Sequence, residues 1–486
     1  MIDPNDFQVL RSRATEPLFY HAPYPAEKVT PKQYQLAGVE YALGRNHMLF
    51  GDAPGLGKTA ECIMLGNAIE AKHTLVVCPA SLRLNWEREI WRWSTIENVT
   101  TYPILKSRDG VSPHANYTII SYALLSNPSI LKALLDVKWD HMILDEAHAI
   151  KDPKGNKRTQ VICAPDLFPP VVGRITLASG TILPNQPIEC YNAVRLLDWG
   201  AIDNMSLNAF RNEYYAMGSG YIRGPVFNEK TQTTQYKLHW SDNVRNVPRH
   251  LDDLQYRLRK HIMVRRLKEQ VLHELPPVQW HLFPLSLTAS IRKALKHPGW
   301  KVAEKLYDMN PTAFDSGVPI DGELATARRE LGEAKAASIV EYVEELINEG
   351  LSKIVVSAWH RSVLAYLRDK LAALGLVYMD GSTSSGRKQM VVDQFQTDDS
   401  IKIILGQMLP LGEGWTLSVA QDVVLAEPDW VPGKNAQMLD RISRIGQEGS
   451  YTIGHVPVVP DTLDERILNT VITKDQNIYK ALDEPL

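Results

Sequence analysis

Short apolar runs alternate with helix-spaced patterns through most of this chain, and the alternation starts twice. His47–Phe50, Thr74–Cys78, Thr118–Ser121, His141–Leu144 and Arg174–Leu177 read as strands. Between them, stretches such as Lys58–Ala71 and Leu82–Trp93 carry apolar residues three and four apart, the spacing of a helix with one buried face. The pattern returns with strands at Lys353–Ser357, Leu376–Met379, Lys402–Leu405 and Asp422–Ala426, and with helices at Arg361–Leu374, Arg387–Phe395 and Lys434–Arg441. Strands separated by helices must pair in parallel, with the helices covering both faces of the sheet. Two doubly wound α/β lobes are therefore expected, with no internal repeat of solenoid length.

The texture changes between the two series. Gly218–Asn246 is polar and mixed and reads as an exposed insertion or hairpin. Leu275-Pro276-Pro277 marks a boundary, because paired prolines stop a helix. Leu285–Gly350 is helical and charged apart from a break near Asn310–Gly322. The expected organisation is a lead-in at 1–30, a first lobe at 31–277 with an insertion at about 200–262, a helical insertion and linker at 278–350, and a second lobe at 351–486.

Composition narrows the class without naming it. The 486 residues carry a net charge of −3, so contact with nucleic acid must come from local basic patches. Lys151, Lys154, Lys157 and Arg158 form one such cluster, and Arg257, Arg259, Lys260, Arg265, Arg266 and Lys268 another; either can be a solvated helix face, and for the second, contact with phosphates or the neighbouring lobe is the favoured expectation. The four cysteines are scattered without a CxxC pair, which argues against a disulfide framework or a zinc site. Met1–Leu18 has no apolar core of a signal peptide, and no stretch approaches a membrane span. A soluble intracellular enzyme is expected, cytoplasmic or, in a eukaryote, nuclear, with no membrane partner.

The first chemistry appears where the apolar run His47–Phe50 enters Gly51-Asp52-Ala53-Pro54-Gly55-Leu56-Gly57-Lys58-Thr59 and a helix follows. Glycines let backbone N–H groups approach phosphate oxygens, and a helix N-terminus adds favourable partial charge. Lys58 is placed to reach the β- and γ-phosphates of ATP, and Thr59 to hold Mg²⁺. Asp52 stands where the strict phosphate-loop pattern has glycine. Downstream, Asp145 and Glu146 close another strand, as Asp145-Glu146-Ala147-His148. Beside a phosphate loop such a pair can bind Mg²⁺ through Asp145 and polarise an attacking water through Glu146. Trp86, Trp359 and Trp415 lie near motif-bearing segments of the two series and read as core residues before base-stacking ones.

With what surrounds them, these segments resemble superfamily-two helicases, and within them the SWI/SNF-type DNA translocases, from about Gln33 to Leu468. Lys32-Gln-Tyr34-Gln35 is similar to the family's adenine-reading segment, and Pro79-Ala-Ser81-Leu-Arg-Leu-Asn85-Trp86 to its "PxSLxxNW". Ile119–Tyr122, Ser179-Gly180-Thr181, Val264-Arg265-Arg266-Leu267-Lys268, and Asp380-Gly381-Ser382 resemble further family elements, Ile182 replacing the usual proline after Thr181. Gly412-Glu413-Gly414-Trp415-Thr416-Leu417 resembles "GGxGLNL" with Glu413, Trp415 and Thr416 as departures. Gln437-Met-Leu-Asp440-Arg441-Ile-Ser443-Arg444-Ile-Gly-Gln447 resembles "QxxDRxxRIGQ" with Ser443 for histidine, and Thr462–Ile467 matches "TxDExI".

The resemblance implies two RecA-like lobes and a DNA-dependent ATPase that uses ATP and Mg²⁺. It implies that Gln35, residues 52–59 and Gly414 hold the nucleotide. Arg441 and Arg444 would reach across from the second lobe, Arg444 as the finger, with Gln437 organising the nucleotide; Asp440 could instead pair with either arginine along its helix. Pro79, Ser81, Asn85, Trp86, Ser121, Ser179, Gly180, Thr181, Arg265, Arg266, Gly381 and Ser382 would serve coupling and DNA contact. Arg211–Tyr215, Leu251–Leu254 and Gly332–Lys335 resemble the annealing-helicase branch that remodels stalled forks, so double-stranded or branched DNA is the expected partner. A strand-separating helicase, a motor subunit of a phage-defence or restriction complex, and a nucleotide-switched DNA clamp remain alternatives. Lys58→Ala should abolish ATP turnover while nucleotide-free DNA binding persists; near-normal turnover by the folded variant would remove the ATP site from this loop.

Overall fold

The computed structural model describes residues 2–152, 156–180, 187–228, 233–272, 278–309, 322–412, 415–430, 432–444, 447 and 451–471. In chain order its strands are β1 (Met48–Phe50), β2 (Thr74–Cys78), β3 (Thr101–Pro103), β4 (Tyr117–Ser121), β5 (Trp139–Asp145), β6 (Val172–Ala178), β7 (Tyr215–Asn228), β8 (Thr233–Pro248), β9 (Met263–Val264), β10 (Val278–Pro284), β11 (Ile354–Ala358), β12 (Leu376–Met379), β13 (Ile403–Gln407), β14 (Asp422–Leu425) and β15 (Thr452–Val458). One parallel sheet runs β3-β4-β2-β5-β6-β1-β9 and a second runs β10-β15-β14-β11-β13-β12. β7 and β8 form a separate antiparallel hairpin where the polar insertion was expected. The fold class is α/β, two doubly wound parallel-sheet lobes.

The central strands are buried along their whole length, and mostly apolar, because helices cover both faces. Thr74–Cys78 and Ile354–Ala358 are buried at every position. Two apolar clusters flank each sheet. In the first lobe, Leu75 and Val77 face one and Val76 and Cys78 the other, as a period of two requires.

Four strands had no clear signal in the sequence, each for a physical reason. β9 is only two residues long, and β3 only three. β10 is a largely exposed edge. β15 contains Gly454 and Pro457, which disfavour a central strand. Gly454 is tolerated because the Trp280 ring fills its place; a Cβ there would lie 2.8 Å from that ring. Pro457 lies beyond the stretch paired with β14, which ends at His455.

The lobes touch beside their facing edges. Arg88 on helix Arg83–Trp93 pairs with Asp393 on helix Ser385–Thr397 at 3.1 Å, and Ser385 Oγ donates to the Ala80 carbonyl.

Behind the loop after β1 lies a fully buried charge cluster. Arg266 Nε donates to Asp52 Oδ1 at 3.0 Å, and its Nη2 donates to Glu61 Oε1 at 2.6 Å. The Arg266 guanidinium also meets the Tyr34 carbonyl. A Cβ on Gly38 would fall 2.5 Å from the Glu61 carboxylate and 2.6 Å from Arg266, so that helix approaches only through a glycine. The expectation that Arg265 and Arg266 meet DNA is therefore corrected. Both are buried and spend their donors on the protein's own first lobe. Their neighbours are also engaged, with Arg257 bound to Asp253 and Asp203, and Lys260 to Asp6. Removing one member of a buried ion cluster strands the others, at about 3–5 kcal/mol. Arg266→Met should lower the denaturant midpoint accordingly, and adding Asp52→Asn and Glu61→Leu should recover most of the loss; an unchanged midpoint for Arg266→Met would show the cluster adds no stability.

Candidate active site

The loop after β1 turns through two left-handed glycines, Gly55 at φ 89° and Gly57 at φ 82°. Gly57 caps helix Lys58–Ala68 without a side-chain bond, leaving the helix N–H groups available to an anion. The positive φ favours glycine there, and a Cβ would lie 2.3 Å from Gln35 Nε2, which would have to shift. Gln35 donates to the Leu56 carbonyl at 3.0 Å, as does the Tyr34 hydroxyl, so the helix carrying Gln35 is tied to the loop. Lys58 folds back, its Nζ 2.8 Å from the Asp52 carbonyl and 3.2 Å from that of Ala53. Burial lowers its pKa, against the opposing pull of Glu146 and Asp52.

β5 delivers the acids. Asp145 Oδ2 accepts from Trp86 Nε1 at 2.8 Å, and its Oδ1 from the Glu146 N–H at 3.0 Å. Tyr122 Oη donates to the Asp145 carbonyl at 2.7 Å. Glu146 sits at φ 49°, a left-handed conformation that costs a non-glycine residue on the order of 1–3 kcal/mol and turns the chain sharply at the strand end. Burial, and then the Glu146 charge, push the Asp145 carboxyl up. Burial acts in the same direction on Glu146, but His148, with Nδ1 3.3 Å from Oε2, outweighs it together with Arg441 and Lys58 and holds that carboxyl low.

The second lobe contributes the opposite wall through helix Pro432–Ile442. Arg444 Nε donates to the Asp440 carbonyl at 2.8 Å, and Nη1 to Thr416 Oγ1 at 3.2 Å. Burial, and then neighbouring Arg441, pull the Arg444 guanidinium down to about 9, still charged at neutral pH. Arg441 is buried, and its Nε has no hydrogen-bond partner among the described residues. Asp440 does not pair with Arg441 or Arg444 through its carboxylate. It accepts from Lys268 of the first lobe at 2.7 Å.

These groups line one cleft of about 440 Å³ between the lobes. Gln35, Pro54, Gly55, Gly57, Lys58, Thr59, Asn85, Asp145, Glu146, Gly180, Gln437, Arg441 and Arg444 all face it. Glu89 and Arg92 also line it, although the sequence reading passed over them; they follow Asn85 at helical spacing, the signal that could have found them. Other expected members lie elsewhere. Asp52 faces Arg266, and Trp86 is buried behind Asp145, a support for the acid instead of a DNA contact. Ser81, Ser121 and Ser179 are buried, Ser121 capping the turn at Leu124, and Pro79 caps the turn Ala80–Leu82. Gly381 and Ser382 stand exposed after β12, bonded to Gln407 and Asp380. Ala53 and Leu56 are buried beneath the loop. Thr181 and Gly414 lie outside the described residues.

Two family models match the chain, the SNF2-related domain over residues 34–346 and the helicase conserved C-terminal domain over 335–446. Among curated proteins, the SWI/SNF-related matrix-associated actin-dependent regulator of chromatin subfamily A-like protein 1 of Xenopus tropicalis is 29% identical over 89% of this chain and 43% of its own length. The DNA annealing helicase and endonuclease ZRANB3 of Homo sapiens is 26% identical over 89% of this chain and 38% of its own. The chain thus spans less than half the length of these two relatives. A solved Sulfolobus solfataricus SWI2/SNF2 ATPase core in complex with dsDNA aligns over 93% of this chain and 92% of that one, at 19% identity and a TM-score of 0.41.

Arg444→Ala should lower kcat for ATP hydrolysis by about 10³-fold with a modest change in KM, because its charge is needed most in the transition state. A raised KM with kcat intact would remove Arg444 from the finger role.

Proposed function

The chain belongs to the SNF2-related family of helicase-like ATPases, and on that premise we propose that it couples ATP hydrolysis to movement along double-stranded DNA, remodelling DNA structures or DNA–protein complexes. The observation that carries the reading is the division of the cleft. Lys58, Asp145 and Glu146 come from one lobe, and Gln437, Arg441 and Arg444 from the other. Neither half is a complete phosphoryl-transfer site. Among the described residues Arg441 Nε has no hydrogen-bond partner, and Arg444 is buried beside it, so the two arginines can receive an anion there. A polyphosphate supplies one, and Lys58 can leave its loop carbonyls for it.

Thr59 and Asp145 offer a hydroxyl and a carboxylate to the same cleft, an all-oxygen donor set that suits Mg²⁺ held jointly with substrate phosphates. When bound, the ion neutralises charge on the phosphates. The remaining work falls to side chains. Glu146, held ionised, polarises the attacking water, and Arg444, with Arg441, meets charge developing on the γ-phosphoryl group. ATP touching both lobes favours closure, and hydrolysis removes the bridge. If each lobe grips the duplex in turn, the cycle becomes movement.

Relatives named as a DNA annealing helicase and as a chromatin regulator support DNA as the track, and the segments Arg211–Tyr215, Leu251–Leu254 and Gly332–Lys335 extend the proposal to branched DNA and fork repair. Exposed Lys157 and Arg158, with Gly381 and Ser382, are the candidate backbone contacts. A motor holding both strands gains nothing by melting them and forfeits about 1.4 kcal/mol of stacking per base-pair step. ATP turnover should be stimulated more by duplex than by single-stranded DNA. A third strand should be displaced from a triplex while a tailed duplex stays intact, and binding should weaken steeply with salt. Robust unwinding of the tailed duplex without triplex displacement would instead establish a strand-separating helicase.

A further inference from the structure

One contact between the lobes meets the site without belonging to it. Lys268 follows the buried arginines of the first lobe. Its Nζ reaches across the cleft, 2.7 Å from Asp440 Oδ1 and 2.6 Å from the Ser443 carbonyl. Both partners are on the segment that carries Arg441 and Arg444, and the Lys268–Asp440 pair is almost enclosed, its side chains 12% and 9% exposed. Ion pairs so withdrawn from water are screened far less than surface pairs such as Arg88–Asp393, whose side chains are about half exposed.

The surroundings give the contact a purpose. A Cβ on Gly55 would lie 3.0 Å from Arg444 Cγ, 3.2 Å from the Ser443 carbonyl and 3.4 Å from Lys268 Cε. The phosphate loop, the lysine and the arginine-bearing turn therefore pack against one another at one point. On the first-lobe side the lysine is firmly based. Arg265 donates to the Gly51 and Gly180 carbonyls, and Arg266 holds Asp52. On the second-lobe side, the Asp440 carbonyl itself accepts from Arg444 Nε. The residue that Lys268 grips by its carboxylate thus holds Arg444 by its backbone.

We propose that Lys268 is a positioning residue, which through Asp440 and Ser443 sets the Arg444 guanidinium against the phosphate loop when the lobes close. The proposal rests on the reading of Arg444 as the finger. It assigns to the lysine no contact with nucleotide; Lys268 acts only through the turn that it holds. Misplacing a reacting group by about 1 Å can cost ~10²-fold in rate, so the pair governs kcat in preference to ATP affinity.

The test is a set of turnover measurements on the full chain with saturating duplex DNA, comparing Lys268→Met, Asp440→Ala, the double variant, Arg444→Ala, and Lys268→Met combined with Arg444→Ala. Each single change at the pair should lower kcat by about tenfold or more, with KM for ATP changed by less than about threefold, and the double variant should be no worse than the weaker single one. Once Arg444 is gone, Lys268→Met should cost less than about twofold further, measured in single turnovers. Multiplication of the two losses at the pair, a full additional loss in the Arg444→Ala background, or wild-type kcat in Lys268→Met would each overturn the proposal. Lys268→Arg, which keeps the charge, should retain most of the rate, and its failure beside a folded, inactive Lys268→Met would mark a packing role instead. Absence of ATP turnover by the unaltered chain would fail the ATPase reading itself, a separate outcome.

Discussion

A buried guanidinium must find partners for its charge and its donors, and where it finds them the backbone is fixed. Arg266 is 1% exposed and lies between Asp52 and Glu61, both fully buried. Desolvating three charges is costly, and only a complete set of partners offsets it. That requirement ties together the loop after β1, the helix after it, and the segment leading out of the first lobe. Burial and the Asp52 charge push the Glu61 carboxyl well up, with Arg266 pulling the other way. The glycines of the phosphate loop can remain open to an anion because rigidity is supplied from behind them.

From this fixed loop the rest of the cleft follows by parallel-sheet geometry. The chain leaves β1, β5 and β6 at the same edge of the sheet, so residues 51–58, Asp145–Glu146 and Gly180 converge there. β6 lies between the other two, and Gly180 approaches Pro54 so closely that a Cβ would sit 2.7 Å away. The second lobe brings its arginines to the same place, Arg441 from a helix that follows β14 and Arg444 from the turn at that helix's end. Of the cations in the cleft, Lys58 donates to loop carbonyls and Arg444 to a carbonyl and a hydroxyl. On the proposed reading a polyphosphate offers them better partners than these groups do, and that difference in binding drives closure.

Residues that resembled one branch of the family only as letters also acquire physical reasons. Gly332 lies against Glu427, where a Cβ would fall 2.2 Å from the carboxylate, and Lys335 binds Asp464 at 2.6 Å in a nearly closed setting. Together they seat helix Gly322–Asn348 on the second lobe. Glu427 in turn accepts from His360 and from the backbone N–H of Trp359, so the end of β11 is held by the same contact. Trp359 is half-buried with Lys434 over its ring, whereas Trp86 and Trp415 are core, which separates three tryptophans that looked alike in sequence.

By itself the sequence determined what depends on neighbours along the chain. The alternation of strands and helices, the glycine loop and the acids closing a strand all follow from local spacing, because a phosphate nest or a helix face is built from consecutive residues. Tertiary structure decided what depends on partners far away. Asp52 and Arg266 are 214 residues apart, and Lys268 and Asp440 are 172 apart. A basic run such as Arg265, Arg266 and Lys268 looks the same whether it faces solvent, a nucleic acid or a buried carboxylate. Which of these it meets is settled only when folding removes water from some charges and leaves it on others, for the energy of a charge is set by what surrounds it in space.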